Sequence, residues 1–156
     1  MPADLKQKSP LGKADFVIIA ASVLGMVIMA YLTYLKFSSG GLSFCDINSS
    51  FSCSAVNRSI YADFFGIPVS ILGFLYFAVV GGLVFSKSAE RSFYSLVFGA
   101  TVAALFFSLY LSYVEVFVLK TICLLCETSK ALMVVIGTVS LLKMRRAKEN
   151  LPFLVN

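Results

Sequence analysis

Apolar and polar residues follow one another along this chain in long blocks, not at the period of two of a strand or the 3.6 of a half-buried helix. The first block, residues 16–35, reads F-V-I-I-A-A-S-V-L-G-M-V-I-M-A-Y-L-T-Y-L and carries no charge. About 20 such residues is the length a helix needs to cross roughly 30 Å of hydrocarbon. Lys13 precedes the block, as in a signal peptide. The run is too long for that, however, and no small-x-small cleavage site follows before Lys36, so it reads as a retained span. Further blocks at 67–85, 92–114 and 123–142 predict three more spans. Pro68 opens the second where a helix start tolerates a missing N–H. Tyr110 and Tyr113 close the third with the aromatic preference of a membrane interface. Glu115 to Lys120 then reads as a brief link. Gly25, Gly73 and the pair Gly81-Gly82 mark places where helices could approach closely, and carry no assigned function.

The polar stretches between these blocks are short, except one. Residues 36–66 hold Gly40-Gly41, Cys45, Asp46, Asn48, Cys53, Asn57, Arg58 and Asp63. Within it, Val56, Ile60 and Phe64 recur every four residues, with Asn57, Arg58 and Asp63 off that stripe. The spacing predicts a short amphipathic helix over 54–65, lying on the bilayer or capping a bundle, or a plain surface helix.

Composition turns the block pattern into a fold class. Hydrophobic residues make up 59% of the 156, and only 13% are charged, about half the usual share of a soluble domain. Such a chain has too little polar surface to cover itself in water, so a bilayer is its natural solvent. The expected architecture is an all-α membrane protein: a four-transmembrane-helix bundle with an outer cysteine-bearing loop and a short amphipathic cap helix. It is expected to be one integral membrane domain over 1–156, with 36–66 as the outer loop and cap. Nine of the 13 basic residues (Lys6, Lys8, Lys13, Lys87, Arg91, Lys143, Arg145, Arg146 and Lys148) fall on the side of both termini. Lys36, Arg58, Lys120 and Lys130 fall on the other. The positive-inside rule then makes the chain a multi-pass protein of the cell membrane with both termini cytoplasmic. This placement, and not nucleic acid, accounts for the net charge of +5.

That orientation puts all four cysteines, Cys45, Cys53, Cys123 and Cys126, on the outer side, where disulfides are chemically permitted. Three readings compete. A zinc cage has four thiols at its disposal, but Cys45 and Cys53 are not spaced as a knuckle, and an oxidising exterior opposes free thiolates, so no metal is expected. Static crosslinks would make the chain a structural or adaptor tetraspan. A redox relay suits Cys123 and Cys126, which stand three apart where a polar segment becomes an apolar helix. Its first turn offers unpaired N–H groups and a positive end to a thiolate. A disulfide across two intervening residues constrains the unfolded chain little, which leaves exchange as the better motive. A relay needs a terminal acceptor; no phosphate-binding glycine pattern stands beside the cysteines, and a lipid-soluble quinone could reach Cys126 from within the bundle, although no residue pattern specifies one. Glu127 and Lys130, three apart on a helix, are expected to meet as an interfacial pair.

Several stretches together carry a resemblance: Cys45-Asp46-Ile47-Asn48, Cys53-Ser54-Ala55-Val56, Ser59-Ile60-Tyr61, Phe65-Gly66-Ile67-Pro68 with Gly73, and Lys120-Thr121-Ile122-Cys123-Leu124-Leu125-Cys126. In order and spacing, over about residues 16–142, the chain resembles the vitamin K epoxide reductase family, in its short prokaryotic disulfide-forming branch. The resemblance implies a four-helix bundle around a quinone of menaquinone or ubiquinone type. It implies that Cys126 reacts with the quinone and that Cys123 is its disulfide partner. By the same resemblance Cys53 exchanges with Cys123, and Cys45 accepts electrons from a partner. Ser59 matches the family's hydroxyl residue near the quinone head, and Phe64 and Phe65 are the aromatic contacts expected beside it. Many prokaryotic relatives continue into a fused thioredoxin-like domain. Here the partner is expected to be a separate extracytoplasmic thioredoxin-like protein. Lys130 stands where animal relatives have a tyrosine, which weighs against transferring epoxide reduction. A quinone or quinone-epoxide reductase uncoupled from protein disulfides is the alternative within the family.

Overall fold

The computed structural model of the protein describes residues 12–38, 43–48, 50–85 and 91–149. Lys6, Lys8, Lys87 and Gly40-Gly41, singled out in the sequence, lie outside them. Four long helices occupy the four apolar blocks: α1 Lys13–Phe37, α3 Val69–Phe85, α4 Arg91–Tyr113 and α5 Leu124–Glu149. A five-residue α2, Cys53–Asn57, lies between the first two. By length and composition three of the long helices are able to cross a membrane, and Val69–Phe85 is shorter at 17 residues. Their outward faces are apolar as well: Leu96, Phe106 and Leu109 on α4 and Val23 and Val27 on α1 are exposed. Helices that are apolar all round call for a lipid surround.

The bundle packs α1 against both α3 and α5, and α4 against α5. Ile18, Leu32, Phe77 and Ile136 are almost wholly buried at its centre. Two glycines allow α1 and α3 to close up. A Cβ on Gly25 would lie 2.6 Å from the Phe77 ring, and one on Gly73 would lie 2.8 Å from the Met29 sulfur. Small residues at such crossings are how helices pack in the absence of a hydrophobic driving force. Gly82, by contrast, faces open space. At one end of the bundle Asp15 ties three helices together. It accepts the Tyr94 hydroxyl at 2.8 Å, pairs with Lys143 at 2.8 Å, and takes the Gly12 N–H at 3.1 Å.

The expected helix over 54–65 does not form as one piece. Helix α2 ends at Asn57 because Asn57 and Arg58 turn to the last carbonyls of α1. The Asn57 amide donates to Leu32, and the Arg58 guanidinium donates to Leu35 and, at 2.7 Å, to Ser38. The Leu35 and Ser38 carbonyls lie beyond Tyr34, the last acceptor within the helix, so the Arg58 docking satisfies both elements. A short 3-10 turn, Ile60–Ala62, follows. Next comes a minimal hairpin, β1 Asp63–Phe64 against β2 Ile67–Pro68, so the chain is not purely helical. Its two-residue turn needs φ > 0 at both centres, and Phe65 and Gly66 supply φ of 52° and 81°. The link expected at Glu115–Lys120 is also helical: α4 runs on as a π-helical turn, Val114–Leu119, closed by Lys120 in the left-handed region.

Candidate redox site

All four cysteines lie at the end of the bundle away from Asp15. Cys45 and Cys53 form a disulfide with Cα atoms 5.8 Å apart, whereas Cys123 and Cys126 are free thiols. The loop bearing the disulfide is built around Asp46. Its carboxylate accepts the Ser52 and Ser54 hydroxyls at 2.7 and 2.6 Å, and the Ser43 and Ser54 N–H groups at 2.8 and 3.0 Å. Burial opposes the charge, but the bonds from Ser54, Ser52 and Ser43 outweigh it and hold the Asp46 carboxyl far below the usual carboxylate range. Ser52 in turn caps α2 by accepting the Ala55 N–H at 3.1 Å, so that Cys53 opens a helix turn. The Ser43 hydroxyl lies 3.3 Å from the Cys45 sulfur.

Cys123 stands just before α5 and Cys126 in its first turn. Cys123 is fully buried, and its sulfur accepts the Cys126 N–H at 3.2 Å, as expected of a sulfur at a helix N-terminus. Phe51 bridges to Ile122, and the Ile122 N–H reaches the Ser50 carbonyl at 2.9 Å. That contact draws the segment before Cys53 against the segment before Cys123, and the two pairs become neighbours although about 70 residues separate them.

Cys126 opens onto a cavity of about 260 Å³. Each long helix contributes to its wall: Met29 from α1, Gly73 from α3, Phe107 from α4 and Met133 from α5. The volume falls just under the ~300–1,000 Å³ of most small-molecule pockets, enough for one ring system. Polar groups are few and include Asn57, Ser59, Glu115, Ser129 and Lys130. Of the expected ring contacts, Ser59 lines the cavity, with its hydroxyl donating to the Val56 carbonyl at 2.7 Å. Phe64 and Phe65 are not in the wall. Phe65 is 91% exposed at the hairpin turn, and Phe64 lies edge-on to Phe107, which lines the cavity together with Tyr61 and Tyr76. A hairpin alternates its side chains, and the left-handed turn throws Phe65 outward.

The expected pair of Glu127 and Lys130 is present at 2.6 Å, but Lys130 does more. It lines the cavity and also lies 3.7 Å from Glu115. Glu115, read from the sequence as part of a link, is buried and accepts the Cys123 N–H at 3.3 Å. The missed signal was a lone acid inside V-E-V-F-V-L: a charge within a membrane helix is rare enough to mark function.

Residues 16–141 match the Vitamin K epoxide reductase family. The chain belongs to that family. It is also similar to thiol-disulfide oxidoreductase LTO1 of Arabidopsis thaliana, 37% identical over 98 residues. The match takes in 57% of this chain and 25% of LTO1, so the chain spans about a quarter of that relative's length. Among the described residues no group of three or more His, Cys, Asp or Glu is placed to hold a metal ion.

Proposed function

We propose that this protein is a membrane thiol:quinone oxidoreductase that oxidises an extracytoplasmic thioredoxin-like protein, in a bundle of four spans with both termini cytoplasmic. The observation that carries the reading is the placement of one bonded and one free cysteine pair at the same end of the bundle, with Cys126 open to an apolar cavity. The cavity residues fit a quinone head: the walls are mostly apolar, and a small number of polar side chains, Glu115 and Lys130 among them, line the same cavity as Cys126. A quinone bound there supplies an acceptor for two electrons and two protons.

On this reading Cys123 and Cys126 give up two electrons and their two protons and join as a disulfide. At the loop, a partner thiolate attacks Cys45, and Cys53 leaves as a thiolate; the partner's second thiol then resolves that mixed disulfide and departs oxidised. Cys53 next attacks Cys123, and Cys126 leaves as a thiolate. Cys45 finally attacks Cys53, which frees Cys123 and restores the observed state, with the loop bonded and the helix pair reduced.

The test follows quinone absorbance with purified variants in detergent and dithiothreitol as donor. Cys126→Ser abolishes turnover, because a hydroxyl cannot replace thiol redox chemistry. Cys45→Ser loses transfer from a thioredoxin-like protein but keeps turnover with dithiothreitol. Sustained turnover by Cys126→Ser would leave static crosslinks as the better account.

A further inference from the structure

A charged path runs from the cavity wall to the surface. Its side chains are progressively more exposed: 4% for Glu115, 14% for Lys130 and 45% for Glu127. The Lys130 ammonium bridges the two carboxylates, 3.7 Å from Glu115 and 2.6 Å from Glu127, and also donates to the Ser112 hydroxyl. Ser112 in turn donates to Glu127 at 3.3 Å. At the inner end the Glu115 carboxylate accepts the Cys123 N–H, and Glu115 shares the cavity wall with Cys126. Lys130 follows Cys126 by four residues on α5, so the two stand on the same face one turn apart. Three charges held this way are costly next to a bilayer, and a purely packing role would be met as well by apolar residues. The sequence also leaves little else to handle protons here, since it contains no histidine.

We propose that Glu115 exchanges the proton of Cys126, that Lys130 is a positioning residue facing its thiolate, and that Glu127 connects them to the outer surface. The proposal rests on the functional reading above and gives its proton traffic a route. When the S–H bond of Cys126 breaks, the proton passes to the Glu115 carboxylate, and the thiolate is faced by the Lys130 ammonium. When Cys126 leaves as a thiolate in the exchange with Cys53, the proton returns from Glu115. No electrons move in either step, and Glu115 re-equilibrates with water through Lys130 and Glu127. The other titratable groups around the pair are Cys123 beside it and, in the cavity wall, Tyr61 and Tyr76; Tyr76 is already bonded to Thr101 at 2.6 Å. The Lys120 side chain is exposed, and only its N–H reaches Glu115, at the backbone carbonyl.

The test needs no bound quinone. In quinone-stripped full-length protein, the rate at which N-ethylmaleimide alkylates Cys126, read by peptide mapping, is followed against pH. Glu115→Gln keeps an acceptor for the Cys123 N–H but cannot carry charge or a proton, and its profile moves to lower pH by about one unit. Lys130→Met moves the profile to higher pH by a similar amount, and Lys130→Arg restores most of the wild-type curve. Glu127→Gln, partly screened by solvent, shifts it less than either. Opposite shifts are the signature, because loosened packing would move both inner variants the same way. Profiles that overlay the wild type, with or without a lower melting temperature, would overturn the proposal, and so would shifts of one sign. With dithiothreitol as donor, Glu115→Gln should also slow quinone reduction by about tenfold or more. If the wild type reduces no quinone at all, the functional reading falls, and the alkylation profiles still decide whether the pair governs Cys126.

Discussion

The two cysteine pairs are held by different means. Cys45 and Cys53 sit in a loop with little regular structure, organised by one carboxylate that gathers serine hydroxyls and backbone N–H groups. Its scaffold is polar and local, and Arg58 and Asn57 dock it onto the end of α1. Cys123 and Cys126 sit instead at the start of a 26-residue helix, inside the bundle, beside a buried acid and an apolar cavity. A loop held by hydrogen bonds has the freedom to present a sulfur to an outside protein and then to an inner one. A helix start fixed by long-range packing holds its sulfurs in place beside the cavity. On the proposed relay, the contrast assigns the moving half to the loop and the fixed half to the helix start.

The sharpest way to break that contrast is to remove the outgoing sulfur. With Cys126→Ala the inner disulfide cannot form, so Cys123 attacks Cys53 of the loop disulfide, Cys45 leaves as a thiolate, and no sulfur on α5 is left to displace Cys53. Cys53 and Cys123 should then accumulate as a crosslink in most of the protein, seen by peptide mapping without reduction. A Cys45–Cys123 crosslink in its place would exchange the roles of the loop cysteines. Free Cys123 with an intact Cys45–Cys53 disulfide would mean that the pairs do not exchange.

The sequence carried the first half of this comparison poorly and the second half well. Block length located the four long helices within three residues, except that α5 runs on past Leu142 to Glu149, because a charge-free run of about 20 residues has few alternatives. The thiols at a helix start were legible too, since Cys123 and Cys126 straddle a change from polar to apolar. The loop was harder. A stripe of Val56, Ile60 and Phe64 reads as a helix, yet Asn57 and Arg58 leave that helix to satisfy carbonyls of α1 some 20 residues away, which no local period records. Phe65 in a left-handed turn is equally invisible, because the conformation is disfavoured for an aromatic residue and is imposed by the hairpin around it. Glu115 was hidden for another reason: its partner Lys130 lies on another helix, and a lone acid near a block edge looks like the end of the block.

A smaller effect tests the loop alone. Asp46→Asn keeps the shape but loses the charge that strengthens four hydrogen bonds, a cost of about 1–3 kcal/mol to loop order. Transfer from a thioredoxin-like partner should fall several-fold while turnover with dithiothreitol holds, since the inner pair is untouched. The pH dependence has a definite sign. Because folding lowers the Asp46 pKa, its contribution is complete above the unfolded value of ~4 and fades as pH falls toward the depressed folded value. Protection of the loop against hydrogen exchange should therefore be flat from neutral pH down to that point in the wild type. A loop that loosens already near pH 6 would show that another group organises it.

The smallest effect concerns Ser59, which stands between the two regions, on the loop side of the cavity wall. Its hydroxyl already donates to the Val56 carbonyl, so a bound ring could receive that proton only at the expense of a bond that closes the end of α2. Ser59 lines the cavity, and its hydroxyl oxygen is an acceptor with a lone pair to spare. Ser59→Ala then removes one modest hydrogen bond and a little polarity from an otherwise apolar wall, about 0.5–1.5 kcal/mol. In the dithiothreitol assay this should raise the KM for quinone by no more than about tenfold and leave kcat near wild type, because an interaction made equally in the ground and transition states affects binding alone. A fall in kcat of about 100-fold at unchanged KM would instead place the hydroxyl on the developing charge of the ring oxygen. The loop would then supply part of the reaction chemistry, and the division between a moving carrier and a fixed reactor would no longer hold.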